Sequence, residues 1–285
     1  MSRRTMLSVC TIAAAVTIAT FAIAQRGRFR RESRPDFYDP RYRDSEVVDR
    51  RGVPDWENDA RFKDDVFTFA RVRYSSYGGG RRWGGGWRTD YPDSDLNFSF
   101  RLHQLTALET DPDGKIVELT DDELFDYPFL YLIEPGAMSL SEEEVVALRT
   151  YLLNGGFLMV DDFWGEDEWF NFHSEFKRVF PDREPVELPL EHEIFHIVYP
   201  LSKKPQVPSI HAWENGQTTE RWDAQEPHYK GVFDDKGRMM AIICHNTDLG
   251  DGWEQEGASP GYFKEMAEKW SYPLGINIIT YAMTH

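Results

Sequence analysis

Cysteine is almost absent from this 285-residue chain: only Cys10 and Cys244 occur, and Cys10 lies in an apolar N-terminal stretch. A single remaining thiol builds no disulfide framework within one chain, so the fold must rest on its core. Positive charge is also short, with 32 Lys and Arg against 49 Asp and Glu and a formal net charge of −17. Such a chain repels nucleic acid and anionic lipid, and no nucleic-acid partner is expected. Past the first two dozen residues no apolar run approaches the roughly 18 residues of a membrane helix, so no stable span is expected once a leader is removed. No internal repeat is visible. A Gly-x-Gly-x-x-Gly spacing and a Gly-Lys-Ser/Thr phosphate loop are both missing, so nucleotide binding is not expected; the cofactor is left unknown and no metal site is assigned.

What is present begins with a leader. Arg3 and Arg4 precede an uncharged stretch from Ser8 to Ile23, and Ala22-Ile23-Ala24 then offers a small-residue cleavage site. This pattern predicts a signal peptide over residues 1–24 and an exported, periplasmic location. Arg3-Arg4 followed by Met6-Leu7 also resembles a twin-arginine export signal; an uncleaved anchor is the competing expectation. Residues 25–64 form a polar, Arg-rich arm, expected to be a flexible tether. Residues 65–285 fit one α/β domain.

Within that domain, residues 67–74 alternate and are rich in β-formers, so they predict a first strand. A Gly-rich loop covers 78–86. A helix is expected from a Ser94 or Asp95 cap to about Leu108, then strands at 116–119 and 129–133. Ser141 with Glu144 forms a capping-box signature for the next helix, closed by Asn154-Gly155. That helix leads into Phe157-Leu158-Met159-Val160, an apolar run that predicts a strand covered on both faces and ending in Asp161-Asp162. A helix at about 168–180 follows, then a hairpin in which residues 235–237 join strands 231–234 and 238–244, and finally two helices at about 259–269 and 274–284. Alternation of strands and helices argues for a doubly wound, mostly parallel sheet with a C-terminal hairpin and helices.

Four stretches carry a resemblance: Phe67-Thr68-Phe69-Ala70-Arg71-Val72-Arg73-Tyr74, Asp90-Tyr91-Pro92-Asp93-Ser94-Asp95-Leu96-Asn97, residues 153–165, and Gly275-Ile276-Asn277-Ile278-Ile279-Thr280-Tyr281-Ala282. On them, residues 65 to 284 resemble DUF4159, a bacterial family of unknown function. The resemblance implies a flavodoxin-like sheet related to the class I glutamine amidotransferase-like fold and to ThuA-like proteins. In amidotransferases the turn after the strand matching 157–160 carries a Cys nucleophile. Here that turn reads Asp161-Asp162-Phe163, and Cys244 lies on another strand, so thiolate chemistry is not expected.

In open α/β sheets ligands bind beyond the carboxyl ends of the strands, which locates the candidates. Asp161 and Asp162 alternate sides, so one should face the crevice while the other caps a turn or helix. Close like charges raise one pKa unless a cation or an arginine compensates, which makes Asp162 a candidate acid/base or metal ligand with Arg71 or Arg73 as its neutralising partner. His245 at the next strand end would complete a proton-transfer pair with Asp162, and Asp161 is kept as a third catalytic candidate. Arg73, Tyr74, Trp83, Trp87, Asp95, Asn97, Trp164 and Asp248 are the expected ligand contacts, with the Gly-rich loop as a lid whose Trp and Arg side chains offer stacking faces. His192-Glu193-Ile194-Phe195-His196 matches the zincin pattern, with Glu214 as a conceivable third ligand, but that chemistry needs a helix and Pro189 and Pro200 bracket the motif. A short turn is expected instead.

Two functions remain open at this point. The favoured one is a non-catalytic binding or interaction domain of the cell envelope, with envelope proteins as partners. The alternative is a periplasmic enzyme acting on a small polar, sugar-derived ligand through Asp162 and His245. A zinc protease ranks below both.

Overall fold

The computed structural model describes residues 50–62, 65–77 and 86–285. The leader, residues 25–49 and 63–64 of the arm, and residues 78–85 of the Gly-rich loop, Trp83 among them, lie outside the described residues.

Seven strands form one sheet in the order β3-β1-β4-β6-β9-β8-β7. They are β1 (Ala70–Arg73), β3 (Lys115–Glu118), β4 (Phe129–Ile133), β6 (Phe157–Asp161), β7 (Val186–Glu187), β8 (His228–Phe233) and β9 (Met239–His245); β2 (Ser75–Ser76) and β5 (Met138–Ser139) make a separate antiparallel ribbon. The first five in spatial order run parallel, while β8 and β7 close one edge in antiparallel fashion. The expected hairpin is present as β8–β9. Its second strand also lies beside β6 as the fifth parallel strand, with Val160 opposite Ile243.

Helices cover both faces, so β6 is buried at all five positions, as its unbroken apolar run requires. Against one face pack α1 (Asp93–Leu105), α5 (Leu249–Glu254) and α7 (Tyr272–Thr284), through Phe98, Leu102, Trp253, Ile276 and Ile279. Against the other pack α2 (Glu142–Leu153) and α3 (Gly165–Val179), through Val145, Leu148, Phe172 and Phe176. Helix α2 starts with the expected capping box, Ser141 with Glu144. The remaining short helices are α4 (Ile210–Glu214) and α6 (Pro260–Tyr262).

Some expected boundaries move, each for a local reason. Strand β1 is shorter than 67–74 because Phe67 pairs only through an isolated bridge to Thr110. Helix α1 begins at Asp93 after Pro92, and Ser94 and Asp95 are buried in its first turn, bound to Arg71 rather than capping. The two expected C-terminal helices are one continuous run, because α6, a π-helix (Phe263–Ser271) and α7 follow without a break. No helix among the described residues is long and apolar enough to cross a membrane.

Candidate active site

Strand order sets the geometry. The chain leaves β1 toward β3 on one side and returns to β4 on the other, so the connections diverge beyond the carboxyl ends of the central strands, the place where open α/β sheets form their ligand crevice. Four non-glycine residues there adopt a left-handed backbone: Asp90 after β1 (φ +63°), Glu134 after β4 (+50°), Asp162 after β6 (+53°) and Asn246 after β9 (+61°). Asp and Asn tolerate this region better than most side chains, and such conformations persist where surrounding contacts over-determine them. Asn246 illustrates those contacts: its Oδ1 accepts from Gly165 N at 2.9 Å and its Nδ2 donates to Glu226 O at 2.9 Å.

Asp161 and Asp162 diverge as their alternation requires. Asp161 is fully buried, and its Oδ2 accepts from Tyr131 Oη (3.0 Å) and from Leu249 N and Gly250 N (3.0 and 3.1 Å). It therefore caps α5, a helix 88 residues further along the chain, rather than the turn that follows it. Burial pushes its carboxyl up to about 7 against the pull of these donors. Asp162, 6% exposed, accepts from Trp164 Nε1 at 3.0 Å through Oδ1.

Around Asp162 the structure gathers acids. One carboxylate oxygen each from Asp90, Asp162 and Asp248 lie within 4.8 Å of one another, and Asp90, Asp251 and Glu254 form a second such group. Asp90 is partly exposed as a residue, yet its Oδ2 is closed off from solvent and accepts no hydrogen bond. Burial raises Asp162 well above the carboxylate range, and the charges of Glu134, Glu220 and Asp90 add to it. Asp248 is raised in the same way by burial and then by Asp162 and Asp90. Burial first, and Asp251 and Glu254 next, raise Asp90.

The expected neutralising arginines are engaged elsewhere. Arg71, fully buried, makes a two-pronged contact with Asp95 (Nε to Oδ2 2.9 Å, Nη2 to Oδ1 2.5 Å) and spends its other donors on Ser94 Oγ, Trp87 O and Thr89 O. Arg73 pairs with Glu118 at 2.8 Å on the neighbouring strand and lies over the Trp87 ring. No ion pair reaches Asp90, Asp162 or Asp248 among the described residues.

Several expected ligand contacts hold the fold together instead. Tyr74 Oη donates to the carbonyls of Ile133 and Glu134 at the end of β4, Asp95 is the partner of Arg71, and Asn97 Nδ2 ties α1 to Trp253 O at 2.8 Å. Trp164 positions Asp162. Asp248 faces the acids while its Oδ1 caps α5 through Asp251 N at 2.7 Å.

His245 is not brought to Asp162. Its Nε2 lies 3.1 Å from Gly165 O, its ring packs against Phe163, Trp169 and His228, and burial presses its pKa down to about 4. Strand parity explains the miss, because the side chain leaves β9 on the α3 face whereas Asp248 turns back into the crevice three residues later. The zincin pattern folds as the expected turn, a single 3-10 turn (Glu193–Phe195). There His192 Nδ1 accepts from Ile194 N, His196 Nε2 faces Leu190 O at 2.7 Å, and Glu214 ends a short helix beside His211. The i and i+4 imidazoles of a zinc helix are not formed.

The crevice can thus hold a cation through oxygen donors. Sequence reasoning missed Asp90, Glu134, Asp251 and Glu254, although Asp90 opens one of the family-matching stretches and the acid excess is large. A family profile described as "Domain of unknown function (DUF4159)" matches residues 68–283. No curated protein matches the chain.

Proposed function

The chain belongs to the DUF4159 family, and from that premise and the geometry of its crevice we propose that it is a binding domain whose acidic crevice holds a divalent cation and, through it, a small polar ligand. The observation that carries this reading is the Asp90–Asp162–Asp248 group, whose oxygens lie within 4.8 Å of one another with no basic side chain paired to them among the described residues. Three desolvated carboxylates this close are stable only protonated or bound to a cation. An all-oxygen donor set favours hard ions such as Mg²⁺, Mn²⁺ or Ca²⁺ over zinc. A bound ion with open positions would in turn recruit hydroxyl- or carboxylate-rich molecules, which accommodates a sugar-derived ligand.

The finer fold assignment is part of the same proposal. Numbered by sequence, the five parallel strands run 2-1-3-4-5, the order of flavodoxin-like sheets, whose ligands sit where the order reverses. Kinship with the class I glutamine amidotransferase-like and ThuA-like folds would place Asp162 close to the position of the missing nucleophile. Residues 1–24 support export to the envelope, where partner proteins would meet this domain. An enzymatic role through Asp162 and His245 lacks the contact it requires, so binding without catalysis is preferred.

Titration calorimetry with Mn²⁺, Mg²⁺ and Ca²⁺, followed by thermal shift with sugars in the presence of the tightest ion, tests the reading. Saturable binding by the wild type that Asp162→Asn weakens at least tenfold is expected. Equal binding by both proteins, or by neither, would refute it.

A further inference from the structure

The second acid group shares a member with the first, and that sharing is the informative point. Asp90 belongs both to the Asp90–Asp162–Asp248 set and to the Asp90–Asp251–Glu254 set, each with ligand atoms within 4.8 Å of one another. A carboxylate has two oxygens and about four lone-pair sites, so it can serve two ions at once. Resting on the cation-binding reading above, we propose that the crevice is a two-cation centre in which Asp90 bridges one ion held by Asp162 and Asp248 to a second held by Asp251 and Glu254.

Several independent features favour the second position. Asp90 Oδ2, buried and without a hydrogen bond, points under the first turn of α5: a Cβ added at Gly250 would meet it at 2.7 Å and Tyr131 Oη at 2.8 Å. Glycine at 250 therefore lets the Asp90 carboxylate close onto the helix that carries Asp251 and Glu254. Those two acids are three residues apart on α5 and so share a face. One oxygen of each lies within 4.8 Å of the other and of Asp90; Asp251 Oδ2 also accepts from Ile210 N (2.5 Å) and Tyr262 Oη (3.3 Å), and Glu254 accepts from Gln255 Nε2, which leaves each carboxylate further lone pairs for a cation.

The helix itself is pinned. Asp248 caps Asp251 N, Ser271 Oγ donates to Leu249 O at 2.5 Å, and a Cβ at Gly252 would collide with Ser271 at 2.6 Å. Ser271 ends the π-helix, so this irregular segment holds α5 close beneath the crevice. Such π segments are frequent at functional sites.

The test is Mn²⁺ binding to the full chain, by calorimetry for stoichiometry and by electron paramagnetic resonance for coupling. Two ions per chain with an exchange-coupled spectrum are expected, and Glu254→Gln should bind one ion with an uncoupled six-line spectrum while keeping the wild-type far-UV circular dichroism. One uncoupled ion in the wild type overturns the two-cation centre and leaves the single site standing. No ion in the wild type overturns both. Two ions in Glu254→Gln, or none, overturns the assignment of the second position.

Discussion

Replacing Asp162 by Asn should make the metal-free protein more stable, not less. Asparagine suits the left-handed backbone at 162 (φ +53°) and its side-chain oxygen can still accept from Trp164 Nε1, so the local structure survives. What disappears is a buried charge facing two others. At 4.8 Å and an effective dielectric constant near 20, one like-charge pair costs about 3.5 kcal/mol. Partial protonation of the group caps that cost, leaving a net gain of about 1–3 kcal/mol at pH 8. For a domain of this size that raises Tm by roughly 3–10 °C. The assay is thermal unfolding by circular dichroism at pH 8, once with EDTA and once with 5 mM Mn²⁺. The expected pattern is a crossover, with Asp162→Asn the more stable protein in EDTA and the wild type gaining more from Mn²⁺. A lower Tm for the variant in EDTA, with an unchanged response to Mn²⁺, would make Asp162 an ordinary structural residue and refute the reasoning.

Further outcomes follow from the same contacts. Burial raises Asp161, Glu134 and Glu254 to about 7, so the folded state holds protons that the unfolded chain releases near pH 4. Stability in EDTA should therefore fall between about pH 4 and pH 7, by on the order of 4 kcal/mol if Asp161 alone is counted, and Mn²⁺ should flatten that decline in urea titrations. Arg71→Met should cost about 3–5 kcal/mol in denaturant unfolding, because it strands Asp95 as an unpaired buried charge. Gly250→Ala introduces a Cβ 2.7 Å from Asp90 Oδ2 and should lower Mn²⁺ affinity severalfold in calorimetry. His245→Gln should leave Mn²⁺ affinity within a factor of two, since His245 contacts the α3 face and Gly165 O rather than the acids.

Much of the scaffold was legible because its signals are local. The apolar run ending in Asp161-Asp162 folds as β6, the Ser141–Glu144 capping box opens α2, and Phe129–Ile133 forms β4 with the expected bounds. The site was legible only in part because it is assembled from distant segments. Asp90, Asp162 and Asp248 come from three strand ends, and nothing in a single sequence couples a loop aspartate before Pro92 to a helix cap near residue 250. Position at the start of α1 points to Asp95, yet the helical turn at 93–96 turns it inward to Arg71, while Asp90, on a left-handed backbone, joins the acids. The strand-end position of His245 points to the crevice, but strand parity sends its ring to the α3 face. Trp83 and the loop centre lie outside the described residues.

The most direct test is a crystal of the full chain soaked in MnCl₂ and measured for anomalous scattering. The account predicts an anomalous peak within coordination distance of Asp90, Asp162 and Asp248, at about 2.1–2.4 Å from their oxygens. A crevice without such a peak, with protonated carboxyls hydrogen-bonded to one another, would contradict it.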